Sequence, residues 1–74
     1  MKTGNLVQVR TGSGYFEEGE DTTCFWPAAK GQVGIIVEMG YRRLRRQRAL
    51  YTAKVMILDE IAEFDISGLE LVPA

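Results

Sequence analysis

The sequence predicts an all-β domain, a small barrel built from five short strands. Two observations lead to this fold class. Several short runs alternate apolar and polar residues with the two-residue period of a strand, and glycine-rich or polar segments separate those runs. At 74 residues, 46% of them hydrophobic, the chain is long enough for one small domain and too apolar for a disordered one.

The second predicted strand, residues 31–39, is the central element of the predicted barrel. Val33, Ile35 and Val37 alternate along it, so we expect these three side chains to face the core and Ile36 to lie on the other face. The run is rich in β-branched residues, which suit a pleated and half-buried surface.

Two glycines of this stretch have predicted roles. Gly34 is inside the strand, where a glycine usually marks a bulge, a bend or a close backbone approach. Gly40 is expected to close the strand. The prediction is therefore a long, bent and largely buried strand.

Four further strands are predicted, at residues 6–10, 51–58, 61–66 and 69–72. A tight turn at residues 59–60 joins the third strand to the fourth, and a single 3₁₀ turn at residues 67–68 precedes the last strand. The predicted core residues are Val7, Val9, Val33, Ile35, Val37, Val55, Ile57, Phe64, Ile66 and Leu69.

Two long connections complete the pattern. The first, residues 15–29, is irregular and aromatic, and we expect its aromatic residues to fold back on the barrel or its flanks to pair as a hairpin. The second, residues 41–50, carries the arginines. Its residues favour helical turns, but an isolated helix of that length is marginal, so we favour a hairpin connection that is mobile without its partner.

The order of elements is that of an SH3-like barrel. It has five strands, a long first loop, an Arg-rich second long loop, a tight third turn and a 3₁₀ turn before the last strand. Closure of such a barrel protects the edges of so few strands.

Three segments resemble the small SH3-like barrel proteins often encoded by tailed phages: residues 31–37, 53–59 and 64–72. Many of those proteins have no assigned function, so the resemblance implies a fold more than an activity. The pattern Lys30-Gly31-x-x-Gly34 is also similar to the KOW motif, which implies contacts to RNA or RNA polymerase. About 20 residues separate Val9 from Lys30, whereas a KOW element joins its strands by a short loop.

Peptide-binding SH3 domains share the fold, and their groove needs an aromatic residue in the 3₁₀ turn. Ser67 and Gly68 offer none, so we do not expect binding of proline-rich peptides. We expect no enzyme activity, because there is no histidine and no nucleophile beside a recognisable base. Cys24 is the single cysteine and is interpreted as a buried or inert thiol.

The net charge of −1 conceals two opposite clusters. The basic cluster, flanked by Tyr41 and Tyr51, consists of Arg42, Arg43, Arg45, Arg46 and Arg48. The arginines could bind nucleic-acid phosphates while the tyrosines stack on bases. The basic cluster could instead pair with the acidic cluster of the same chain, which consists of Glu17, Glu18, Glu20 and Asp21, or with that of a neighbouring copy.

Further candidates for an interaction surface lie in the first long loop: Tyr15, Phe16, Glu17, Glu18, Glu20, Asp21 and Trp26. The tryptophan could anchor an interface or cap the open end of the barrel. The acidic residues do not have the spacing of an EF-hand, so no metal site is predicted.

The sequence therefore favours a non-catalytic binding module, encoded by a phage or associated with a virion, that acts by protein–protein interaction or self-assembly. The alternative is a KOW-like nucleic-acid-binding protein that uses the arginine loop. No cofactor, membrane contact or small-molecule substrate is expected. Without a signal-peptide core near Met1, the expected location is the host cytoplasm or the virion.

Overall fold

The computed structural model describes residues 1–15, 24–43 and 49–73. Within these ranges the chain is all-β, as predicted, with seven strands, two short 3₁₀ turns and no α-helix. The strands are β1 (Leu6–Val9), β2 (Ser13–Tyr15), β3 (Cys24–Phe25), β4 (Val33–Arg43), β5 (Ala49–Ile57), β6 (Glu60–Asp65) and β7 (Leu69–Leu71). The 3₁₀ turns are Pro27–Ala29 and Ile66–Gly68. None of the described segments is a helix long and apolar enough to cross a membrane.

The strands form one antiparallel sheet in the order β3-β2-β6-β5-β4-β1-β7, and this sheet curls into a half-barrel. The predicted count of five strands is wrong for the described chain, because the flanks of the first long connection pair with each other. Ser13 lies opposite Phe25 and Gly14 opposite Cys24, which is the hairpin alternative considered for this connection.

The core lies on the concave side of the sheet. Six predicted core residues are buried there: Val7, Val9, Val55, Ile57, Phe64 and Leu69. Ile66 is partly buried against them, and the cluster also contains Ala29, Ile36, Ala53 and Ala62. The predicted inward alternation of β1, β5 and β6 is therefore confirmed.

The predicted orientation of β4 is wrong. Ile36 is fully buried, while Val33 and Ile35 are about half exposed. The cause is visible at Gly34, since a Cβ at this position would lie 2.5 Å from the carbonyl oxygen of Met56 and 2.7 Å from Cγ1 of Val55. Gly34 and Ile36 lie two residues apart and share one face of β4. The close approach at Gly34 leaves no room for a side chain there, which makes this face the core face.

A β-bulge follows at residues 36–38, where the pairing of β4 with β5 shifts by one residue. The extra residue, Val37, has intermediate burial. Because a bulge reverses which face later residues occupy, Val37 does not continue the alternation of Ile35.

Two predicted boundaries also differ. Gly40 does not close β4, which continues to Arg43, because Gly40 lies opposite Thr52 and leaves room for its side chain. The tight turn between β5 and β6 lies one residue earlier than predicted, at Leu58 and Asp59, which both have positive φ. The predicted 3₁₀ turn before the last strand is confirmed and begins at Ile66.

Candidate interaction surface

The convex side of the sheet carries a row of exposed apolar residues across four neighbouring strands. Leu6 of β1 lies opposite Ile35 of β4, which lies opposite Met56 of β5, which in turn lies opposite Ile61 of β6. Because residues directly opposite each other in a sheet share a face, the four side chains form one continuous row.

Val33 extends this row. It lies two residues along β4 from Ile35, so it belongs to the same face. The five residues are between 44% and 55% exposed. We call this set the outer apolar face: Leu6, Val33, Ile35, Met56 and Ile61.

A charged pair borders the outer apolar face. Glu38 of β4 lies opposite Lys54 of β5, and the Lys54 Nζ atom is 3.4 Å from the Glu38 Oε2 atom. Lys54 is two residues from Met56 and therefore shares its face. Both charged side chains are largely exposed, so the pair alone stabilises the monomer little.

The next cross-strand position contains a buried hydrogen bond. The hydroxyl of Thr52 donates to Oε2 of Glu63 at 2.6 Å, and Thr52 is fully buried. Gly40 lies opposite Thr52, where a Cβ would come within 2.7 Å of the threonine hydroxyl oxygen. The glycine therefore makes room for this hydrogen bond.

Beyond Gly40, β4 and β5 continue as a two-stranded ribbon that has no β1 or β6 partner among the described residues. We call residues 41–43 and 49–51 the hairpin end. Tyr41 lies opposite Tyr51, and their rings meet edge to face with centroids 5.7 Å apart. The two tyrosines are 56% and 65% exposed.

The structure thus brings together the two tyrosines that were predicted to flank the arginine run. Arg42 and Arg43 are the last residues of β4, paired in register with Leu50 and Ala49. The remaining arginines of the run lie outside the described residues: Arg45, Arg46 and Arg48. The helical interpretation does not hold for residues 41–43 and 49–50, which are in strands.

Of the surface candidates predicted in the first long connection, the structure describes Tyr15 and Trp26. Tyr15 is only 4% exposed, and Trp26 is partly buried against the core. The other candidates of this connection lie outside the described residues: Phe16, Glu17, Glu18, Glu20 and Asp21. The predicted pairing of the acidic cluster with the basic cluster also depends on residues outside the described ranges.

Sequence reasoning missed the outer apolar face, because it assigned Val33 and Ile35 to the core. One signal was present, since Met56 and Leu58 already gave the third predicted strand a second apolar side. Over residues 1–15, 24–43 and 49–73, no group of three or more cysteine and acidic residues is arranged as a metal site would require.

Comparison with protein-family models, curated proteins and solved structures found no match to this chain. The assignment of a function therefore depends on the two surfaces described above.

Proposed function

We propose that this protein is a non-catalytic binding module of SH3-like topology that acts by protein–protein interaction through its outer apolar face. The observation that carries the proposal is the row of half-exposed apolar side chains over four adjacent strands. Contiguous exposed apolar patches on small soluble proteins commonly mark interaction sites.

The topology supports the SH3-like part of the proposal. β1 lies between β4 and β7, the strands β4, β5 and β6 follow one another as neighbours, and a 3₁₀ turn joins β6 to β7. The five predicted strands correspond to β1, β4, β5, β6 and β7, and the pairing of β2 with β3 lies in the flanks of the first long loop. An origin in a phage or a virion stays a prediction from the sequence resemblance.

Site-specific photo-crosslinking tests the proposed function. A photoreactive amino acid at Met56 lies in the outer apolar face, and the same amino acid at Leu71 is the matched control, since Leu71 is also half exposed but lies outside it. We expect covalent adducts to protein from position 56 and few from position 71. Equal adducts from both positions, or none from either, would contradict the proposal.

The second candidate function is nucleic-acid binding by the hairpin end. The exposed Tyr41–Tyr51 pair favours it, because aromatic faces next to arginines suit stacking on bases and contact with phosphates. A partner bound this way would lie at the hairpin end and not on the outer apolar face.

Fluorescence anisotropy with a labelled oligonucleotide and a salt titration tests this alternative. If the hairpin end binds nucleic acid, changing the five arginines at positions 42, 43, 45, 46 and 48 to serine abolishes binding. A Tyr41→Ser/Tyr51→Ser variant then binds more weakly with an unchanged salt slope, because stacking releases no counterions. Absence of binding at low salt rules out this candidate.

A further inference from the structure

We propose that the partner of the outer apolar face is a second copy of this chain, which packs there face to face in a two-fold dimer. This inference rests on the proposed function, because it names the partner of the same surface. Three features of the face support it: two-sided apolar strands, a symmetric arrangement of charges and sufficient area.

The central strands are apolar on both faces. In β5, Val55 and Ile57 are buried in the core, while Met56 between them is half exposed. Strands with apolar residues on both faces are typical of sheets that are covered on both sides. A second sheet is a suitable cover, since two sheets pack face to face about 10 Å apart with nearly aligned strands.

The outer apolar face is self-complementary about an axis that runs along the strands between β4 and β5. Rotation about this axis, placed in the plane of the interface, brings Ile35 of one copy over Met56 of the other. It likewise brings Leu6 over Ile61 of the second copy. Apolar residues therefore face apolar residues at each position of the row, and the contact is closest at its centre, where the two convex sheets approach each other.

The same rotation places opposite charges against each other. Glu38 on β4 meets Lys54 of the second copy, and Lys54 meets Glu38 of the second copy. The intrachain ion pair at 3.4 Å thereby becomes part of a cluster of four facing charges, from Glu38 and Lys54 of each copy, that the second sheet shields from solvent. Glu63 lies opposite Lys54 on β6, beside this cluster, and accepts a hydrogen bond from the hydroxyl of Thr52. Like charges at positions 38 and 54 would instead repel each other across the interface.

The area suits a reversible dimer. The five half-exposed side chains present on the order of 450 Å² per copy, so the pair would bury at most about 900 Å², in the range of weak and reversible interfaces. We therefore expect association in the micromolar range.

Sedimentation equilibrium of the full chain, from about 1 µM to about 1 mM, provides the first test. We expect a concentration-dependent monomer–dimer equilibrium. Met56→Asp should raise the dissociation constant at least about 30-fold, because it buries two unpaired carboxylates at the centre of the interface. Leu71→Asp, with the same charge change at a similarly exposed site, should leave the dissociation constant within about twofold of the wild type.

The charged pair provides a test of the particular geometry. Glu38→Lys and Lys54→Glu should each weaken self-association, since each makes all four charges of the cluster alike. When the two variants are mixed, opposite charges meet again across the interface, so we expect heterodimers to form in preference to either homodimer. Native mass spectrometry distinguishes the three species when one variant carries an isotope label.

Several results would overturn the dimer. They are a wild-type monomer up to 1 mM, a dimer that Met56→Asp leaves intact, or a mixture without preference for the heterodimer. The crosslinking experiment separates this failure from failure of the proposed function. Adducts from position 56 to a different protein, with a monomeric wild type, would retain the binding function and exclude the second copy.

Discussion

Gly34 is the glycine of β4 at which an added Cβ would lie closest to a neighbouring atom. A Cβ there would meet the Met56 carbonyl oxygen at 2.5 Å and Val55 Cγ1 at 2.7 Å, with Ile57 Cβ also near at 3.1 Å. Since the first contact is with backbone, a rotamer change cannot relieve it. Gly34→Ala should therefore destabilise the fold by about 3 kcal/mol, at the upper end of overpacking effects.

Chemical denaturation at a fixed protein concentration measures this effect. Gly31→Ala is the control, because its Cβ would meet nothing within 4 Å and only its positive φ of 83° is strained. We expect the control substitution to lower the free energy of unfolding by about 1–2 kcal/mol. Equal stability of Gly34→Ala and the wild type would contradict the assignment of this face to the core.

The buried hydroxyl of Thr52 provides a second prediction for a single residue. It donates to Glu63 at 2.6 Å from a fully buried side chain. Thr52→Val keeps the shape but removes the donor, so we expect a loss of about 1–3 kcal/mol in the free energy of unfolding.

The matched control is Thr3→Val, since Thr3 is exposed and the chemical change is the same. It should alter stability by less than about 0.5 kcal/mol. If both variants unfold at the same denaturant concentration, the hydrogen bond to Glu63 contributes nothing measurable.

At the scale of elements, the turn between β5 and β6 contains two residues with positive φ, Leu58 at 51° and Asp59 at 62°. A two-residue hairpin loop with both φ values positive favours glycine, which has no steric penalty there. Asp59→Gly should therefore raise the free energy of unfolding by about 0.5–1 kcal/mol.

The neighbouring substitution Glu60→Gly should have the opposite sign, since Glu60 is the first residue of β6 and pairs with Ile57. A glycine in a strand costs roughly 0.5–1 kcal/mol. Thermal unfolding of the two variants thus also tests the turn position. If the turn lay at the position predicted from sequence, Asp59–Glu60, both substitutions would fall within the turn. They would then not change the free energy of unfolding in opposite directions.

The elements differ in how far the sequence predicts them. Alternation in β1, β5 and β6 identifies the buried face, because one side of each strand is the more apolar. In β4 both sides are apolar, so the two-residue period alone does not decide which of Val33 and Ile36 is inside. The close approach at Gly34 decides it, and that approach depends on Val55 and Met56, which are distant in sequence.

The candidate site likewise has one part that the sequence predicts and one part that it does not. The pairing of Tyr41 with Tyr51 follows from a hairpin connection, because both flank the arginine run at similar distances from its centre. The outer apolar face depends on the register of four strands, which places Leu6, Ile35, Met56 and Ile61 in one row. Local sequence patterns contain no information about that register.

At the scale of the whole molecule, the sheet has two apolar faces, and adjacent residues of β5 belong to different ones. Val55 is fully buried in the core, whereas Met56 is half exposed on the outer apolar face. Val55→Asp should unfold the domain, because burial of an unpaired carboxylate costs about as much free energy as the whole stability of a small domain. Met56→Asp should leave the monomer folded and remove only the association of the outer apolar face.

Circular dichroism and sedimentation of the two variants, side by side, check this pair of outcomes. The same substitution at consecutive positions controls for charge and for chain location. A Val55→Asp variant that melts like the wild type would show that the concave side is not the core. A Met56→Asp variant that unfolds at every concentration would show that the convex side belongs to the folding core of the monomer, and the outer apolar face would then be no interaction surface.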